Sequence, residues 1–182
     1  MSDTICQNVR NCIKCDLCKN QTPLVQSYNN KEADVFWVGL SAVKTNNSLD
    51  IPLSPSTRSG ELIHSIESLL PNVSFYKTNV VKCLPLKDDK IRYPSLSEMK
   101  NCQFHLESEI RNFKPNVIFL LGKQVSDFVL NSKEKVSLDE GFNYNTYPRN
   151  KQIYVPIHHP SFILIYKRKK MTDYLHSIEN II

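Results

Sequence analysis

Apolar positions along the chain fall into short blocks with two periods. Asp34 to Gly39 (DVFWVG) is a continuous β-rich run, Ser74 to about Val80 reads as a second strand, Val117 to Gly122 (VIFLLG) as a third and Gln152 to Ile157 (QIYVPI) as a fourth. Between the first two, Leu62, Ile63, Ile66, Leu69 and Leu70 recur at helical spacing, and Pro71 with Asn72 ends that helix. Ser95 and Glu98 form a capping-box pattern that opens a helix predicted to reach about Phe113, before Pro115. Gln124 to Leu130 is a short helix. After the loop HHPSFILIYKRKK, a terminal helix carries Leu175, Ile178 and Ile181. Strands alternating with helices predict an α/β fold, a parallel sheet buried on both faces, as a single domain over residues 1–182.

In such a sheet, ligands bind at the carboxyl ends of the strands. Here those ends read GLSAVKTNN, TNVVKC, GKQ and HHPSF, and they gather Ser41, Asn46, Asn47, Asn79, His158, His159 and Ser161 at one rim. No GxGxxG or GxxxxGK[ST] pattern stands at a strand end, which argues against a dinucleotide or nucleoside-triphosphate enzyme. The four glycines of the chain leave little room for a phosphate cradle.

Composition narrows the class. With 182 residues, 41% of them apolar, the chain buries one substantial core. No apolar run is long enough to span a bilayer and MSDTICQNVR is too polar for a secretory signal, so a soluble cytoplasmic protein is expected, with no membrane partner. The net charge of +5 matters less than its placement. Lys167, Arg168, Lys169 and Lys170 are consecutive, which suits either nucleic-acid contact or a solvated helix start.

Six cysteines in a reducing compartment are not expected to pair as disulfides. Cys12, Cys15 and Cys18 form two overlapping CxxC pairs, and Cys83 and Cys102 lie far along the chain. Two local and two distant thiolates suit zinc or an iron-sulfur cluster; buried free cysteines are the plainer alternative.

Taken in order, CIKCDL at Cys12, the strand ending Gly39-Leu40, Ser59-Gly60 opening a helix, TNVVKC from Thr78, Cys102 in the next helix, KPNVIFLLG from Lys114 and HPS from His159 resemble the iron-sulfur uracil-DNA glycosylases of families 4 and 5. The resemblance runs from Cys12 to roughly Leu175. It implies a three-layer α/β/α sandwich with a central four-stranded parallel sheet and DNA as partner; a monomer is expected, on no evidence from the residues. It implies a [4Fe-4S] cluster on Cys12, Cys15, Cys83 and Cys102, with Cys6 and Cys18 spare and zinc as the alternative. Asn79 matches the asparagine that hydrogen-bonds the flipped base, since an amide both donates and accepts. His159 matches the histidine that stabilises negative charge on the departing base, and His158 falls one place too early and reads as structural. Gly39, Leu40, Ser41 and Leu53 would line the base pocket. Ser59, Ser161, Leu164, Tyr166, Lys167 and Arg168 would meet DNA, with Leu164 or Tyr166 as the wedge left in the gap of the flipped nucleotide. Tyr93 is the remaining candidate, though a surface loop is its plainer placement.

The first loop departs from the family pattern. Leu40 replaces a glutamate, Asn46 and Asn47 stand in place of an acidic pair, and Leu53 stands in place of a phenylalanine that stacks on the base. The Gly39-Leu40 start is closer to family 5, whose aspartate before SG is Thr57 here; Asp50 is the acid within the loop. Two classes follow. One is a glycosylase that removes uracil or a modified pyrimidine, such as those some phages carry, using a water held by Asn46, Asn47 or backbone carbonyls, in repair or antiviral defence. The other is an inactive module that binds damaged or modified DNA.

Overall fold

The computed structural model describes residues 2–28, 32–45, 47, 50–131 and 136–182. In chain order they form α1 (Ser2–Arg10), a 3-10 turn (Asp16–Lys19), β1 (Val35–Ser41), α2 (Arg58–Leu69), β2 (Phe75–Val81), β3 (Leu86–Lys87), β4 (Lys90–Ile91) and α3 (Leu96–Phe113). Then come β5 (Val117–Leu121), α4 (Lys123–Leu130), β6 (Tyr147–Arg149), β7 (Gln152–Ile157), α5 (Pro160–Tyr166), a second 3-10 turn (Arg168–Lys170) and α6 (Met171–Glu179).

The expected parallel sheet is present, in the order β2-β1-β5-β7, and β6 is added antiparallel to its β7 edge to make five strands. The pleat explains the unbroken apolar runs. Along β1, Val35 and Trp37 face a core shared with Leu62, Ile63, Ile66, Ile163, Tyr174 and Ile178, whereas Phe36 and Val38 face one shared with Cys102, Leu106, Phe113, Val125 and Leu130. Helices α2, α5 and α6 therefore cover one face, and α3 and α4 the other, with Ile5 of α1 joining the second core. Three layers result.

Several elements were not foreseen, α1 and the two 3-10 turns among them. Tyr147-Pro148-Arg149 is a short, partly exposed edge strand containing a proline that needs no ladder donor on its outer side. Asp88 and Asp89 both take positive φ (50° and 57°), closing Leu86–Ile91 into a tight hairpin. The single terminal helix is in fact two, because α5 begins already at Pro160, inside the stretch expected to be loop. His159 caps α5 and Pro160 stands at its first position, where a missing N–H costs nothing.

Candidate active site

Because the chain steps outward from β1 to β2 and then crosses back to β5, a crevice opens beside the carboxyl ends of β1 and β5. It is a cleft of about 760 Å³. Its walls carry Gly39, Leu40 and Ser41 from β1, Leu53 and Ser59 from the segment into α2, Asn79 from β2, Gly122 and Lys123 after β5, and His159 and Ser161 after β7.

Two glycines make this packing possible. A Cβ on Gly39 would collide with the side-chain oxygen of Asn79, so the strand-β1 glycine is the space in which the amide sits. A Cβ on Gly60 would run into the backbone carbonyls of Leu53 and Ser54, so the glycine of SG lets the first loop lie on the opening turn of α2. Thr57, at the family-5 aspartate position, instead caps that helix: its hydroxyl accepts from Gly60 N (3.1 Å) and donates to the Ser54 carbonyl (2.9 Å). Leu53 itself has φ 53°, a left-handed backbone that costs a leucine about 1 kcal/mol or more.

Asn79 is 3% exposed, yet its side-chain amide makes no hydrogen bond to the described residues and faces the cleft. An amide on the cleft wall with no partner among the described residues is open to a ligand, to which it can both donate and accept. His159 is arranged differently. Its Nδ1 accepts the backbone N–H of Ser161 (3.1 Å) and lies 2.8 Å from that serine's hydroxyl. Burial holds its pKa below the usual histidine value. A neutral ring whose Nδ1 is an acceptor carries its proton on Nε2.

His158 turns away from this chemistry. Its Nδ1 meets the Tyr144 hydroxyl at 3.0 Å, its carbonyl accepts from Tyr174 (3.0 Å), and its ring stacks on Phe162.

The remaining site candidates are spread out. Asn46 lies outside the described residues. Asn47 is exposed, in a turn where its backbone N–H donates to Thr45 Oγ1 (3.0 Å), and is not among the residues lining the cleft. Asp50 is bound by the Thr45 hydroxyl, and no carboxylate lines the cleft among the described residues. Leu164 is half-buried against the α2–α5–α6 core; Tyr166 is 70% exposed. Lys167 pairs with Glu140 at 2.9 Å, and Arg168 is exposed beside it. Lys123 lines the cleft without having been singled out, and Tyr93, the remaining candidate for DNA contact, lines it too.

A second, small cavity lies beside α3. Cys12, Cys15, Cys18, Cys83 and Cys102 all line it, together with Lys82 and His105. Burial first, then the neighbouring thiols of Cys102, Cys15, Cys12 and Cys18, pushes the Cys83 thiol up to about 12. The Lys82 backbone N–H points at Cys102 Sγ (3.3 Å), and the buried Nε2 of His105 has no hydrogen-bond partner. Among the described residues no group of three or more His, Cys, Asp or Glu side chains is arranged to hold one metal ion. Five cysteines around one cavity supply the four thiolates that a [4Fe-4S] cluster or a zinc ion would take.

Residues 26–181 match the model of the uracil DNA glycosylase superfamily, and the chain belongs to that superfamily. Among its relatives is the type-4 uracil-DNA glycosylase of Archaeoglobus fulgidus, 28% identical over 169 residues, which span 89% of this chain and 82% of that one. The type-4 uracil-DNA glycosylase of Saccharolobus solfataricus is 27% identical over 172 residues, 89% of this chain and 76% of that one. The fold is also similar to a crystal structure of wild-type Pedobacter heparinus SMUG2, with TM-score 0.52 and 15% identity over 83% of this chain and 75% of that one. No helix among the described residues is long and apolar enough to cross a membrane.

Proposed function

We propose that this DNA glycosylase hydrolyses the N-glycosidic bond of uracil, or of a modified pyrimidine, turned out of DNA into the cleft. The observation that carries the reading is the pairing, at one cleft, of the unpartnered amide of Asn79 with the neutral imidazole of His159. An amide donates to one atom of a pyrimidine edge and accepts from its neighbour. As the C1′–N bond breaks, its electron pair moves onto the base and positive charge grows on the sugar. The Nε2–H of His159 meets the charge on the base, and a donor held ready before reaction is worth about 10²- to 10³-fold in rate. Water then adds to C1′ and loses a proton to solvent. The described cleft carries no carboxylate, so in this proposal base stabilisation supplies most of the rate.

The cysteine cavity holds a [4Fe-4S] cluster on Cys12, Cys15, Cys83 and Cys102 in this proposal, supported by the five thiols around it and the unpartnered His105 Nε2. Such a cluster ties the N-terminal segment to the end of β2 and to α3, contributing folding free energy directly. A panel of oligonucleotides bearing uracil, hypoxanthine and modified cytosines, treated with protein and then alkali, tests the reaction. Strand breaks at uracil or at one modified pyrimidine are expected. Tight binding with no breaks on any substrate would overturn hydrolysis in favour of a reader of DNA.

A further inference from the structure

Of the chain's eight phenylalanines, eight tyrosines and one tryptophan, only Tyr93 and Tyr166 are exposed, and no aromatic residue lies outside the described stretches. Tyr166 sits at the end of α5, near Phe162. Tyr93 alone, apart from the imidazole of His159, brings an aromatic ring to the wall of the cleft that holds Gly39 and Asn79. Among the described residues, the apolar surface that the first loop brings there is aliphatic, from Leu40, Val43, Pro52 and Leu53.

The mount of Tyr93 contrasts with its ring. It follows the β3–β4 hairpin, and Arg92 N–H donates to the Pro85 carbonyl (3.1 Å). The Arg92 guanidinium grips both oxygens of Glu98 (2.6 and 2.8 Å) and also donates to the carbonyls of Leu86 (3.2 Å) and Tyr93 itself (3.0 Å). Pro94, the next residue, is buried. The backbone is therefore fixed on both sides, while Tyr93 as a residue is 72% exposed. A ring held in place without covering neighbours loses little internal contact when a flat ligand covers it, and little conformational freedom.

We infer that Tyr93 is the stacking platform for the nucleobase that enters the cleft, its ring lying against the base face while Asn79 meets the base edge. This rests on the glycosylase reading for the identity of the ligand, a planar pyrimidine. It places base recognition partly on the hairpin after β2, an element separate from the loop after β1. It also gives the hairpin a role that its two-residue strands do not have in the core.

The test is equilibrium binding of a duplex bearing one 2′-deoxypseudouridine, whose C–C glycosidic bond cannot be hydrolysed. It is compared with duplexes bearing a tetrahydrofuran abasic residue at that position or at either neighbour, for wild type, Tyr93→Phe, Tyr93→Leu and Tyr93→Ala. Stacking predicts that Phe binds as wild type does, and that Ala and Leu weaken binding by about 5- to 150-fold only when the target base is present. Equal weakening with and without the base, weakening that follows a neighbouring base instead, a Phe variant as poor as Ala, or no change in any variant would each overturn the inference. Uracil release from the matching uracil duplex is measured in parallel. No release by wild type with the stacking pattern intact overturns the glycosylase reading alone; release without the pattern overturns the role of Tyr93 alone.

Discussion

The side-chain oxygen of Asn79 occupies the space where a Cβ on Gly39 would have to stand, so one residue type on β1 fixes the position of an amide on β2. Gly39 pairs with Asn79 in register across the two strands. Gly39→Ala should leave the fold intact, because the strand backbone there suits alanine, but should push the amide aside. A displacement of about 1 Å at a reacting group costs about 10²-fold. Single-turnover base release from the preferred substrate should fall by about that factor, with an unchanged circular dichroism spectrum. A fully active alanine variant would show that the amide is not fixed by this contact.

His159 predicts a pH dependence. Its pKa is lowered by burial, so the imidazole is neutral at pH 7 and stays neutral as pH falls through the ordinary histidine value of about 6.5. Protonation would put a proton on Nδ1, facing the Ser161 N–H that donates to it. The active form is the neutral one, present above the lowered pKa and lost below it. The acid limb of the rate profile should therefore lie below pH 6.5, and His159→Ala should lose about 10²- to 10³-fold at pH 7. A rate that rises on acidification through this range would assign catalysis to the charged ring.

The parts of the molecule that bury continuous apolar runs were legible in the residues. Val117–Leu121 is wholly buried, and VIFLLG says so; Ser95 and Glu98 make the capping box that their spacing announces. The rim was legible too, because Gly39, Asn79 and His159 stand at strand ends and the strand ends converge. What stayed hidden depends on contacts distant in sequence. KDDKI carries no glycine to announce a hairpin, and its turn is formed by two aspartates at positive φ. Pro160 could end a strand as readily as begin a helix, and only the packing of Ile163 under the sheet decides for the helix. Asn47 looked like part of the rim by position, yet its turn folds back on Thr45 and Asp50.

The cysteines offer a prediction in which one member differs from the others. Burial raises the Cys83 thiol most, and among the thiols that raise it further Cys102 comes first and Cys18 last; burial also raises the Cys102 thiol most, and Cys18 is not among the thiols that add to it. With the proposed cluster on Cys12, Cys15, Cys83 and Cys102, Cys102→Ser and Cys83→Ser should lose iron and visible absorbance and should unfold at lower temperature, because bound metal is folding free energy. Cys18→Ser should keep all three. Loss of iron on replacing Cys18, with iron retained on replacing Cys12, would exchange their roles.

Lys82 and Glu109 join the cysteine cavity to the cleft. Their side chains are 1% and 0% exposed and meet at 2.6 Å; Glu109 also accepts from Thr78 (2.7 Å) and Tyr76 (3.2 Å), and Lys82 donates to the backbone carbonyl of Asn79 (2.7 Å). Removing one partner strands a buried charge, so Lys82→Met should cost about 3–5 kcal/mol in urea unfolding. Replacing both, as Lys82→Met with Glu109→Leu, should recover most of that, since an apolar pair of similar volume is often no less stable. Base release should not recover with it. The Asn79 carbonyl would still lack its donor, leaving the strand end that carries the amide less firmly held. Equal recovery of stability and activity in the double variant would reduce the ion pair to a packing element. Stability restored without activity would assign Lys82 to the positioning of Asn79.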